Sequence, residues 1–164
     1  MPVGQKMTST VEEYMTNDLL DELLALDPAV LTGVVGKDRR DPHLTIREWM
    51  AEPLGGGGGS SNVFRVSGSA GERPWKVVAK HYAHPVEQDD PDMGILVFQS
   101  GELERLPPGM RPPRVYGTHK GAKGDWLWME SLEDTGPKQW TLEIFQRTAR
   151  LLGRFNAAYL GRTP

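Results

Sequence analysis

Between residues 10 and 26 apolar side chains recur at helical spacing: Val11, Met15, Leu19, Leu23 and Leu26, with Tyr14, Leu20 and Leu24 widening the stripe. Thr10 suits the N-cap, Glu12 and Glu13 suit the first turn, and Pro28 follows the end, so the pattern predicts a helix with one apolar face. Residues 33–42 turn polar and charged and read as a loop. His43 to Leu54 reads as extended, with Leu44, Ile46 and Trp49 as inward candidates. A second extended run, Asn62 to Ser69, carries Val63, Phe64 and Val66, and Ser67 to Gly71 reads as a turn. Pro74 to Tyr82 is a valine-rich strand.

Residues 83–92 form an acidic loop, and Met93 to Leu106 a short helix weakened by Gly94 and Gly101 and closed by Pro107 and Pro108. Arg114 to Thr118 and Trp126 to Glu130 read as strands joined by a Gly/Lys turn. After a linker at 131–137, residues 138–160 predict a strong amphipathic helix, with Leu142, Phe145, Ala149, Leu152, Phe155 and Tyr159 on one face. Three strands, a helix, two strands and a helix, with short turns between strands, predict an α+β fold: about five antiparallel strands with a helix packed on one face.

Composition narrows the class. The chain has 164 residues and a net charge of −3, enough for one domain and its core. Apolar runs such as Ile95 to Phe98 are too short to span a membrane. Met1 to Thr10 lacks the apolar core of a secretory signal, so the expected compartment is the cytoplasm. The absence of cysteine excludes disulfides, thiolate metal sites and a cysteine nucleophile, and the four histidines show no HExxH spacing, so no metal site is predicted. Slight acidity argues against a broad nucleic-acid surface. Trp75, Trp126 and Trp128 with Arg111, Arg114, Lys120 and Lys123 could form a single-strand-binding surface, but tryptophans between strand-forming residues read first as core.

Three segments could carry chemistry. The run Gly55, Gly56, Gly57, Gly58, Gly59, Ser60, Ser61 is either a flexible linker or a phosphate-cradling turn, where missing side chains let backbone N–H groups approach an anion. Strand-like flanks on both sides favour the turn, and the lack of a following GKS or GKT excludes a Walker-type loop. Lys80, in Val77-Val78-Ala79-Lys80-His81-Tyr82, is either a surface lysine or a phosphate ligand. Strand alternation puts Val78 on its side, an apolar roof beside a cation. Trp126 to Asp134 is either a core strand with a turn or a hinge whose backbone groups at Glu130 and Leu132 meet an adenine edge.

Taken in order, these pieces resemble the N-terminal lobe of the aminoglycoside-phosphotransferase-like, protein-kinase-like family over about residues 44–160. The resemblance rests on Glu52-Pro53-Leu54-Gly55-Gly56 leading into Asn62-Val63-Phe64-Arg65-Val66, the strand ending in Lys80, and Gln99-Ser100-Gly101-Glu102-Leu103-Glu104-Arg105-Leu106-Pro107. It continues through Arg111-Pro112-Pro113-Arg114-Val115-Tyr116-Gly117, Trp126-Leu127-Trp128-Met129-Glu130 and Leu151-Leu152-Gly153-Arg154-Phe155-Asn156. It implies an N-terminal helical extension at 1–42, a kinase-like lobe at 43–132, and a linker with the first helix of a second lobe at 133–164. It further implies ATP and Mg²⁺ as cofactors and phosphoryl transfer to a hydroxyl acceptor. Gly55 to Ser61 would cover the phosphates, Lys80 would contact the α- and β-phosphates, Val78 and Met129 would border the adenine, and Glu130 to Leu132 would hold its edge.

Two departures qualify that expectation. Kinases pair the lysine with a helix glutamate, and the matching position here is Gly94, with Asp92, Glu102 and Glu104 only nearby. The family's base and metal ligands lie in an HGD-like loop and a later aspartate, and no histidine here is followed two residues on by aspartate. No catalytic residue is therefore assigned, the chain reads as a truncated lobe, and weak or no ATP binding is expected. The alternative is a non-catalytic, pseudokinase-like module that binds a complementary lobe or a second copy through its C-terminal helix.

Overall fold

The computed structural model describes residues 16–54, 62–83, 93–132 and 139–160. Thr10 with the first turn of the N-terminal helix, the glycine run at 55–61, the acidic loop at 84–92, most of the linker at 133–138 and the side chain of Tyr159 lie outside the described residues. The chain divides into two units. One takes its described residues from Met1–Asp92 and Arg114–Ser131, the other from Met93–Pro113 and Leu132–Pro164.

The first unit holds two helices and one sheet. Residues 16–24 form helix α1, whose Leu19 and Leu23 are buried. Pro28–Arg39 form helix α2, where a loop was expected across 33–42. The correction has a local cause. Pro28 opens a helix here instead of only closing one: its fixed φ and missing N–H suit the first helical position. The Asp27 side chain accepts from the N–H of Ala29 at 2.8 Å, capping the new helix. α2 carries Lys37 and Arg39 in its last turn, where cations meet the negative end of the helix dipole, and it stops at Arg40, whose φ of 55° is left-handed.

Five antiparallel strands follow: β1 (Trp49–Pro53), β2 (Val63–Ala70), β3 (Arg73–Ala83), β4 (Val115–Lys120) and β5 (Gly124–Glu130), in the spatial order β1-β2-β3-β5-β4. The expected strand count and antiparallel sense are present. The turn expected at Ser67 to Gly71 is shorter than anticipated: β2 runs on to Ala70, paired with Arg73, and only Gly71 and Glu72 reverse the chain. Gly71 sits at φ +61°, a value that favours glycine.

Strand alternation gives the sheet two unlike faces. Phe64, Val66, Trp75, Val77, Ala79, Tyr116, Trp126 and Trp128 share one buried cluster with Leu19, Leu23, Leu26, Leu31, Val34, Val35 and Ile46. Two helices therefore serve this face, where one was expected. Each large apolar side chain removed from water here contributes about 1.5–3 kcal/mol. Gly68 lets Trp75 close on the sheet, since a Cβ there would lie 2.8 Å from the ring and 2.7 Å from the Glu48 carbonyl.

Polar contacts fix the helices over this core. Glu22 accepts from the Trp126 indole at 2.9 Å and from the N–H of Ala122 at 3.2 Å, and Lys123 pairs with Asp18 at 2.5 Å, so α1 is tied to the β4–β5 turn. Lys37 donates to the carbonyl of Tyr116 at 2.6 Å, and the Tyr116 hydroxyl donates to Asp38. Ile46 N–H donates to Thr32 at 3.1 Å and the Trp49 indole donates to the carbonyl of Leu23 at 3.0 Å, which seats the segment leading into β1.

In the second unit, Met93–Gln99 form α3, and a separate 3-10 turn covers Glu102–Arg105. The single helix expected over 93–106 breaks at Gly101, whose φ is +74°. Leu142–Tyr159 form α4, capped by the Thr141 hydroxyl, which accepts from the N–H of Ile144 at 3.4 Å. Among the described residues no helix is long and apolar enough to cross a membrane.

Candidate functional site

The glycine run joins two strands of one hairpin. β1 and β2 pair from Trp49 with Gly68 to Pro53 with Phe64, and the N–H of Leu54 donates to the carbonyl of Val63 at 2.8 Å. The hairpin is thus hydrogen-bonded up to both edges of the run. A tether between separate bodies would not have its two ends paired with each other.

Register then brings Lys80 to the same end of the sheet. Val63, the first residue of β2, pairs with Lys80, and Arg65 pairs with Val78. On the other side of β3, Val78 pairs with Met129 and Lys80 with Leu127. These residues occupy the sheet face opposite the helical core, because they alternate with Phe64, Ala79, Trp126 and Trp128. Val78 and Met129, expected together at an adenine, are direct cross-strand neighbours and both half-buried.

Lys80 is half-buried, and its ammonium lies 4.7 Å from the centre of the Tyr82 ring, a cation–π contact two residues along the same strand face. Among the described residues no carboxylate forms an ion pair with it. The same face carries Arg65, Lys76 and Lys120 against Glu52 and Asp125, with Arg65 bound to Glu52 at 2.8 Å, so its balance is positive. His81 points the other way, buried against Trp126 with ring centres 4.8 Å apart, and does not join Lys80.

The expected hinge is divided. Glu130 is still in β5, paired with Val77; its N–H donates to the carbonyl of Arg114 at 2.8 Å, and its carboxylate accepts from the N–H of Arg114 at 2.9 Å. Its backbone donor is therefore already engaged within the sheet. Leu132 lies past the strand, exposed, and belongs to the second unit. Gly55 to Ser61 lie outside the described residues.

Sequence reasoning did not single out Val63, Arg65, Tyr82 or Leu127 as neighbours of Lys80. Alternation places each on its strand face, but only the inter-strand register puts them side by side. Trp75, Trp126 and Trp128 are all buried, so these rings offer no stacking platform for single-stranded nucleic acid. Among the described residues no cluster of three histidines or carboxylates is placed to hold a metal ion. Compared with family models, with curated proteins and with solved structures, the chain matches none.

Proposed function

We propose that this chain is the nucleotide-holding lobe of a small-molecule phosphotransferase of the aminoglycoside-phosphotransferase-like, kinase-like kind. The observation that carries the reading is the closed β1–β2 hairpin, with the glycine run at its end and Lys80 directly opposite Val63 at the mouth of that run. Backbone N–H groups of a glycine-rich turn and one lysine together suit a polyphosphate. The Val78–Met129 pair beside them supplies an apolar strip for a base.

The reaction would be phosphoryl transfer to a hydroxyl acceptor, with ATP as donor and Mg²⁺ bridging its phosphates. The 164 residues hold no HGD-like motif to supply a base, and in the resemblance Gly94 takes the sequence position of the glutamate that kinases pair with the lysine. The chain by itself should therefore bind ATP weakly or not at all and transfer no phosphate. Metal bridging and a placed base are among the largest contributions to this chemistry.

Calorimetric titration of ATP with Mg²⁺ tests the reading. Weak saturable binding that Lys80→Met reduces is the expected result. Binding that Lys80→Met leaves unchanged would remove the nucleotide site, and tight Lys80-dependent binding would show that the lobe holds ATP without further residues. Lys80-dependent phosphate transfer by the pure chain would overturn the inactivity of the isolated chain.

A second reading, a non-catalytic module that binds a partner, is favoured by one observation: Leu142, Phe145 and Leu152 of α4 are each more than half exposed.

A further inference from the structure

The core-facing row of β3 runs Ala79, Val77, Trp75 and ends on Arg73, because side chains alternate along the strand. An arginine thus occupies the last position of the row, next to the apolar stretch Trp75, Val77 and Ala79. α2 ends at Arg39 beside it, and a cavity of about 300 Å³ remains there, lined by both arginines, Asp41, Leu44, Gly71 and Trp75 among others. That volume is at the lower end of small-ligand pockets.

Two guanidinium groups on one cavity repel each other unless an anion lies between them. Asp41 is the one carboxylate among the lining residues, and one of its oxygens already accepts from the N–H of His43 at 3.0 Å. Arg73 forms no ion pair with a carboxylate among the described residues. Arg39 is held in place, donating to the carbonyl of Pro74 and lying 3.5 Å from the Asp38 carboxylate. A guanidinium fixed in advance loses less freedom on taking a ligand, and its fork matches the spacing of two oxyanion oxygens.

The third component is Trp75. It is 2% exposed, it lines the cavity, and its indole N–H has no acceptor among the described residues. Leu44 adds apolar surface on the same cavity. Asp38 pairs with Arg39 and Asp41 lines the cavity, which leaves Arg73 as the guanidinium without a carboxylate ion pair among the described residues. That balance suits a single oxyanion group and disfavours a polyphosphate.

We propose that this cavity binds a small molecule carrying one oxyanion group, a carboxylate or a phosphate, with Arg39 and Arg73 on the anion and Trp75 and Leu44 against its body. The site is separate from the nucleotide site proposed above. It lies at the Gly71 end of the β2–β3 hairpin, about 23 Å from Val63 at the rise of a strand, and on the opposite face of the sheet.

The test follows the indole N–H resonances by NMR, with Trp75→Phe identifying the Trp75 signal. Benzoate and inorganic phosphate are titrated separately at constant ionic strength. A saturable shift of the Trp75 resonance is expected, weakened about tenfold or more by Arg73→Gln, less by Arg73→Lys, and unchanged by Lys80→Met. A response to benzoate alone assigns a carboxylate, and a response to phosphate alone assigns a phosphate. The proposal is overturned if neither probe gives a saturable shift, if Arg73→Gln leaves the affinity unchanged, or if Lys80→Met abolishes the response.

Discussion

Tyr116 shows how one residue joins helix and sheet. Its hydroxyl donates to Asp38 of α2, and its own carbonyl accepts from Lys37 of the same helix. Burial, then the hydrogen bond to Asp38 and the negative charges of Asp38 and Glu130, raise its pKa well above the usual tyrosine range, with Arg114 opposing. The folded chain therefore keeps this proton to a higher pH than the unfolded chain. The resulting stabilisation is fully present below the unfolded value of about 10. It is lost as pH rises beyond that value, because the unfolded state then ionises first. Tyr116→Phe should lower stability by about 1.5–3 kcal/mol near neutral pH, the range for a hydrogen bond to a charged group. It should also flatten the alkaline loss. Urea titrations at about pH 7 and about pH 11 would show both, and a variant with the same alkaline slope as the native chain would refute this account.

At the scale of elements, α2 depends on its first residues. Asp27→Ala removes the side chain that accepts from Ala29 and should cost about 1 kcal/mol, while Asp27→Ser should retain most of it. Chemical denaturation of both variants decides, and equal loss for the two would sink the capping argument. The same residues explain what the sequence left illegible. Asp27-Pro28 ends one apolar stripe and opens the next, and a proline reads equally as a stop or a first turn. The charged stretch from Lys37 to Asp41 then looked like loop, although Lys37, Asp38 and Arg39 are the helical residues that bind the sheet. Strands were easier to read: in β3, Val77 and Ala79 alternate with exposed or half-buried Lys76, Val78 and Lys80, and β5 is a compact apolar run from Trp126 to Met129. For the candidate site, alternation was enough to put Val78 and Lys80 on one face. It could not show that Met129 and Leu127 lie against them, because that pairing spans a long stretch of chain.

For the whole molecule, α4 raises a question of solution behaviour. Leu142, Phe145 and Leu152 are exposed along it, the Trp140 and Phe145 rings meet at a tilt with centres 5.0 Å apart just before and within its first turn, and Leu160 is exposed beyond its end. Apolar groups gathered this way mark an interaction surface or an aggregation liability. The pure chain should elute larger than a monomer on size exclusion, or bind a hydrophobic dye. Phe145→Glu with Leu152→Glu should restore monomeric elution and abolish dye binding. A native chain that is monomeric and binds no dye would count against the partner-binding reading.

The strand order also sets a sequence of events in time. β1 with β2, β2 with β3, and β4 with β5 are each neighbours along the chain, and the β1–β2, β2–β3 and β4–β5 connections are short. The seam between β3 and β5 alone joins strands that are not consecutive. Bringing Ala83 to Gly124 closes a loop of about forty residues, an entropic cost that must be met before the contacts along the seam can offset it. Local hairpins can form on their own timescale, whereas the rate of folding should follow the closure of this one seam. Doubling the length of the intervening segment would add only about 0.6 kcal/mol to that closure, so the stretch between β3 and β4 is a place where the chain can accept extra residues without losing its sheet.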